Sequence, residues 1–368
     1  MQSRLENIQE YFNLREYPAP SAFEHVSNHI NPHGPGLMPG GETLPDEDDF
    51  IEPPGVKWAP GARDAVISQL VLLNSAEKAD WIERFVQSIK NLSGSPGNET
   101  IREFESVLKY PDTLGVIDQA LKRIVTDTGL NQTVIYYICR NLFLRSPFRG
   151  VVKFAMSIMG LYGVPQDIDL FKIIGRHDEF TIYSAVALAV GGEDTESHWL
   201  DMAKKVTGWG RIHLVLRLVD SKNPEVLDFL LKEGCRNDIM PEYTALMIAE
   251  AVDLVSILSK KKIDSASFRG AGIILKALFA SYGGIGPFEG IELYKDGAPA
   301  VKNYLNHFKK IKTDDKDYET VSIIFQILLG DKGPYGRNLL DWKIEDREYI
   351  LKTAGEILEM RKTRTYRL

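Results

Sequence analysis

From residue 61 onward, apolar residues recur at the three- and four-residue spacing of amphipathic helices, and no window shows sustained two-residue alternation. Over 75–92, Trp81, Ile82, Phe85, Val86 and Ile89 form one face of a helix that Ser75 can cap. Gly94-Ser-Pro-Gly97 ends it, Asn98 can cap the next helix, Glu99 to Tyr110, and Asp112 or Thr113 can start another through Val125. The same spacing predicts helices over 131–145, 148–162, 166–175, 178–190, 195–206, 209–219, 224–233, 241–258, 264–282, 297–311, 316–329 and 344–362. The breaks carry Gly, Pro, Asn or Asp, the residues that turns require.

Short connections force neighbouring helices antiparallel. Taken in pairs, the units 131–162, 166–190, 195–219 and 224–258 start about 29 to 35 residues apart, a period typical of helical repeats. The expected fold is therefore all-α: a right-handed α-solenoid of degenerate antiparallel helix pairs over 61–368, preceded by an extended N-terminal arm over 1–60. A doubly wound sheet needs strand–helix alternation, which is missing.

The arm holds nine of the eighteen prolines, and the run His33 to Gly41 is too rich in Pro and Gly for a regular helix. A short helix is predicted around Arg4 to Leu14, with Ile8, Tyr11 and Phe12 on one side. Phe23, Leu37, Leu44, Phe50, Ile51 and Trp58 are more apolar anchors than a solvated tail would carry, so the arm is expected to dock on the body.

Charge sharpens this division. The formal net charge is −7, and residues 1–60 hold ten acidic and three basic residues, leaving 41 of each in 61–368. The acidity belongs to the arm. A balanced body disfavours nucleic acid as the partner, because phosphate neutralisation dominates such binding. Cys139 and Cys235 are too few and too far apart for a disulfide framework or a zinc site. No apolar run approaches the ~20 residues of a membrane span, and the first twenty residues lack a signal-peptide pattern. A cytoplasmic protein is expected.

The repeat spacing over roughly 60–310 resembles irregular HEAT-like repeat proteins, which implies extended surfaces for macromolecular partners. Gly208-Trp-Gly-Arg-Ile-His213 and Leu230-Leu-Lys-Glu-Gly-Cys-Arg-Asn-Asp-Ile-Met240 resemble stretches of bacterial proteins sometimes labelled limonene hydroxylase. That label implies haem, flavin or non-haem iron. The chain has no dinucleotide fingerprint and no facial-triad spacing, so no cofactor is expected.

Candidate chemistry is sparse. Gly283–Gly290 and Gly330–Gly336 read as turns, for neither has the Walker lysine and serine or threonine. His25, His29 and His33 recur every four residues, but Pro32 interrupts any helix that would align them for a metal. Asp118, Glu179 and Glu250 each read as isolated residues on exposed helix faces. The basic end, Arg361 to Arg367, reads as a solvated or arm-pairing tail. Trp209, Arg211 and His213 lie at one predicted inter-helix turn, and Arg236 and Asn237 at the next. In stacked repeats such turns line up, so these five are the expected recognition patch. The alternative gives Trp209 to the core and Arg236 to a helix end.

The leading expectation is a non-enzymatic interaction protein that binds a macromolecule, most simply another protein. Two alternatives are a DNA-processing enzyme resembling HEAT-like alkylpurine DNA glycosylases and an oxygenase as the inherited label would have it.

Overall fold

A computed structural model of the chain describes residues 2–49, 57–65, 75–109, 113–190, 194–283, 289–330 and 340–365. Phe50, Ile51 and most of the two glycine-rich runs lie outside them. Among the described residues the fold is all-helical. The only β interaction among the described residues is an isolated antiparallel bridge between Ile30 and Leu37. The chain divides into two compact units, Met1–Leu214 and Val215–Leu368.

The first unit opens with α1 (Gln2–Leu14) and α2 (Ala22–Asn28). Ile8, Tyr11 and Phe12 of α1 are buried, as their spacing predicts. The helix α2 falls where extended chain is expected. Its cause is local: the Ser21 hydroxyl accepts the Glu24 N–H at 3.0 Å, and Ala22 and Val26 share a buried face. Next in order come α3 (Ser75–Gly94), α4 (Asn98–Leu108), α5 (Thr113–Thr126), α6 (Gln132–Arg145), α7 (Arg149–Gly160), α8 (Ile168–Ile174), α9 (Asp178–Val190), α10 (Thr195–Ala203) and the start of α11 (Gly208–Leu218). Helices adjacent in sequence pack together, with α6 against α7 and α8 against α9.

Two contacts fix the centre of this unit. Trp81 stacks on both Phe85 at 5.2 Å and Phe154 at 4.9 Å, and its Nε1 donates to the Val107 carbonyl at 3.1 Å. The indole thus gains apolar burial without stranding its N–H. Helix α7 is buried on every side, and Gly160 lets it approach α9, since a Cβ there would lie 2.8 Å from Ala187.

The second unit contains α12 (Pro224–Phe229), a π turn (Leu230–Gly234), α13 (Ala245–Ala251), α14 (Leu254–Ser259), α15 (Ser265–Ala280), α16 (Gly297–Phe308), α17 (Asp315–Gly330) and α18 (Ile344–Thr365). The helix expected over 241–258 is in fact two. Asp253, left-handed at φ 48°, ends the first, and its carboxylate accepts the Ser256 N–H at 3.3 Å to start the second. Phe268 and Tyr304 stack at 4.7 Å in the core between α15 and α16.

Helix α15 meets the π turn backbone to backbone at Gly270. A Cβ there would sit 2.0 Å from the Leu231 carbonyl oxygen, which no rotamer change relieves. Gly270→Ala should therefore destabilise this unit by at least the ~1–3 kcal/mol of ordinary overpacking, read as a fall in the urea midpoint. Gly330→Ala, with nothing within 4 Å of its new Cβ, is the control and should not lower that midpoint.

Candidate functional site

Among the described residues, two polar arrangements bear on a candidate site. The first lies in the Met1–Leu214 unit, on α7 and α9. Arg149 and Lys153 stand one turn apart on a helix otherwise free of charge, and both are buried. Lys153, only 2% exposed, donates to Asp64 at 2.8 Å and to Glu179 at 2.5 Å. Tyr183 donates to the same Asp64 oxygen at 2.9 Å. Glu179 also accepts the Gly61 N–H at 2.9 Å, which ties the turn at 61–65 to α9. Gly61 itself is required there: its φ is 72°, and a Cβ would press on the Asp178 carbonyl at 2.7 Å. Arg149 donates through Nε to Asp46 at 2.9 Å and through Nη2 to Glu47 at 2.6 Å.

Burial and pairing push these groups apart in acidity. Burial opposes charge on Lys153, but Asp64 and then Glu179 outweigh it and raise its pKa. Burial likewise opposes ionisation of Glu179, yet Lys153 and then Arg149 hold it well below the usual carboxylate range. Held protonated, Lys153 has no lone pair for nucleophilic chemistry. The cluster is an electrostatic staple between α7, α9 and the segment preceding α3.

His177 and Asp178 border it. The His177 Nδ1 accepts the Glu179 N–H at 3.1 Å, so its proton sits on Nε2, which faces the Glu42 carbonyl at 3.2 Å. Burial lowers this imidazole to about 4. Asp178 starts α9, and its carboxylate accepts the Trp209 N–H at 2.9 Å, capping α11 from another helix. Burial raises it to about 7, against the hydrogen bonds from Trp209 and Gly210.

The second arrangement is in the Val215–Leu368 unit. After the π turn, the Arg236 N–H closes on the Glu233 carbonyl at 2.9 Å, and the Asn237 amide donates to the Ile239 carbonyl at 2.8 Å. Met240 is left-handed at φ 37°, and its side chain is 46% exposed. A bulky residue costs roughly 1–2 kcal/mol in that region. Arg236 also lines a cleft of about 430 Å³ with Arg269, Lys276, Lys316, Asp314, Asp317 and Glu319. Lys276 meets Glu319 at 2.6 Å, whereas Arg269 stands 3.5 Å from Asp314.

The five residues expected to form one patch have different surroundings. Trp209, Arg211 and His213 on α11 are buried, at 7%, 5% and 7% exposure. Arg211 Nε donates to the Ala203 carbonyl at 3.2 Å. Arg236 is exposed, and Asn237 is half-buried. Asp118 and Glu250 are exposed as expected, but Glu179 is not. Its partners lie 26 and 118 residues away, so no local pattern marks it. The available signal was the pair Arg149 and Lys153 within an apolar helix, since buried cations need counter-ions.

Among the described residues no group of three or more His, Cys, Asp or Glu could hold a metal ion, and no helix is long and apolar enough to cross a membrane. No protein-family profile, no curated protein and no solved structure matches the chain.

Glu179→Gln would leave Lys153 with one of its two carboxylates. Breaking a buried pair typically costs about 3–5 kcal/mol, so this variant should unfold at a markedly lower urea concentration than Asp118→Asn. A separate expectation concerns pH. Between 3.8 and about 7 the folded chain keeps a proton on Asp178 that the unfolded chain has lost, so this contribution to stability falls as pH rises. His177, lowered from 6.5 to about 4, acts in the opposite sense, its contribution being lost as pH falls through that window. Asp178→Asn removes only the first effect. Its stability relative to wild type should climb between about pH 5 and 7.5 in urea titrations, and a constant difference would count against the assignment.

Proposed function

We propose that the chain is a non-enzymatic interaction protein, a HEAT-like array of antiparallel helix pairs that offers the turn before α13, from Arg236, to a protein partner. The observation that carries this is Met240. A flexible apolar side chain exposed from a left-handed backbone is a local cost that core packing does not explain. Strain of this kind is retained where contact demands it, and methionine suits an adaptable contact surface. Arg236 on one side and the exposed Met247 on the other extend the surface. Arginine is over-represented at the centres of protein interfaces.

The cleft beside Arg236 favours a protein over a nucleic acid. With Lys316 the lining carries four cations beside Asp314, Asp317 and Glu319, a mixed surface that matches a polypeptide carrying both signs better than a polyanion. In this reading the buried Trp209, Arg211 and His213 support the fold of α11, and contact passes through Arg236, Asn237 and Met240.

The test is affinity capture with the full chain from its native cell, followed by crosslinking from position 240. Arg236→Ala combined with Met240→Gly should lower partner retention about tenfold, the effect of losing a modest hot spot. Glycine accepts the left-handed backbone, so the variant should melt no earlier than wild type. Equal retention of the captured partner by variant and wild type would overturn the proposal.

A further inference from the structure

We propose that the cleft beside Arg236 is a carboxylate-binding site that takes the C-terminal residue of a polypeptide, which rests on reading this face as a contact surface for a protein. One wall is a stripe of α15, where Arg269, Gly272, Ile273 and Lys276 recur at three- and four-residue spacing and so share a side of the helix. Helix α17 contributes Lys316, Asp317, Glu319 and Thr320, with Asp314 just before its start. The two helices pack on each other, so the core of this unit fixes both.

The group that points to a ligand is Arg269. Its Nε is buried and has no hydrogen-bond partner among the described residues. Its two ion pairs are long: Nη2 stands 3.5 Å from Asp314 Oδ2, and Nε stands 3.9 Å from Asp317 Oδ1. Both carboxylates are held in place by the backbone at the start of α17. Asp314 Oδ1 accepts the Lys316 N–H at 3.0 Å and the Asp317 N–H at 3.3 Å, and Asp317 Oδ2 accepts the Asp314 N–H at 2.9 Å. This reciprocal cap keeps them from closing on the guanidinium. Arg269 therefore lines the cleft with a buried donor still to satisfy, and such a donor is costly until a ligand meets it.

Charge and shape select the ligand. The four cations of the lining exceed its three carboxylates by one. Lys276 is neutralised by Glu319 at 2.6 Å, whereas Lys316 is exposed and the Arg236 Nε stands 3.7 Å from its carboxylate, Glu233. One negative charge completes this set, and a more highly charged anion would meet Asp314 and Asp317. A carboxylate brings a single charge and two acceptor oxygens, the pair that one edge of a guanidinium grips. A C-terminal residue adds an amide N–H one carbon away from its carboxylate, which the exposed Asp314 can accept. Its side chain can lie on Ile273, the one apolar side chain of the lining, which is half-buried. An Asp or Glu side chain presents its carboxylate with no donor so close. At about 430 Å³ the cleft is of the size that holds small ligands, which suits a terminal residue.

Calorimetric titration of the full-length protein with N-acetyl-Ala-Leu, with its C-terminal amide and with N-acetyl-Glu-amide tests this. The terminal acid should bind at least about tenfold more tightly than the other two, the effect of one hydrogen bond to a charged group. Arg269→Gln should remove that preference, and Arg269→Lys, which keeps the charge and loses the fork, should weaken it. In wild type the Arg269 Nε–H signal in NMR spectra should shift with the terminal acid and not with its amide, a measurement that needs no variant. Equal binding of acid and amide, a preference that survives Arg269→Gln, or an unmoved Nε–H signal would each overturn the proposal. Binding of N-acetyl-Glu-amide as tight as that of the terminal acid would overturn the C-terminus in favour of an acidic side chain. The two readings of this face fail separately. Loss of the captured partner from the Arg236→Ala, Met240→Gly variant without any acid binding would uphold the contact surface and overturn the carboxylate site. Acid binding that depends on Arg269, with capture unaffected in that variant, would do the reverse.

Discussion

An ammonium group taken out of water must be met by opposite charge, and the order of the first unit depends on how Lys153 satisfies that demand. Its two carboxylates come from α9 and from the turn at 61–65. Neutralising one side chain therefore fixes three stretches of chain at once. The Gly61 N–H on Glu179 and the Tyr183 hydroxyl on Asp64 complete the arrangement, so neither carboxylate relies on the lysine alone. Such a cluster contributes less to net stability than apolar residues of the same volume could. Its effect is on uniqueness, because any other register of the 61–65 turn would take Asp64 away and leave the buried Lys153 with one carboxylate in place of two.

The second unit is organised by backbone rather than by charge. The approach of Gly270 to Leu231 places α15 directly on the π turn, and that turn delivers Arg236 and Asn237 to their positions. A π turn inserts one residue into a helix and rotates the chain beyond it. The left-handed Met240 then turns the chain again before α13 begins. Geometry at the proposed contact surface thus depends on a glycine in the second turn of α15, with no charge involved.

Much of this was legible in the sequence. Apolar spacing located α3 to α11 and α15 to α18 to within a few residues, because each buries a continuous face and ends at Gly, Pro, Asn or Asp. The breaks that were missed have side-chain causes. Ser21 and Asp253 start helices by accepting backbone N–H groups, and a lone capping residue resembles any other polar residue in a window average. The candidate site was harder to read. Glu179 lies in an apolar segment, and its partners come from distant positions, so pairing became visible only in three dimensions. Trp209, Arg211 and His213 have the composition of a contact surface, but composition does not distinguish an exposed arginine from one whose Nε meets the Ala203 carbonyl.

The break at Asp253 has a consequence for how order is distributed along the chain. It divides one stretch of apolar spacing into α13 and α14, of seven and six residues. Helices shorter than about 12–15 residues do not persist alone in water, because nucleation costs more than so few hydrogen bonds return. Both therefore borrow their helicity from the partners they lie against, α15 for the first and α16 for the second. A perturbation that loosens either partner melts the segment behind the proposed contact turn first, so the turn's rigidity is set by neighbours that are distant in sequence.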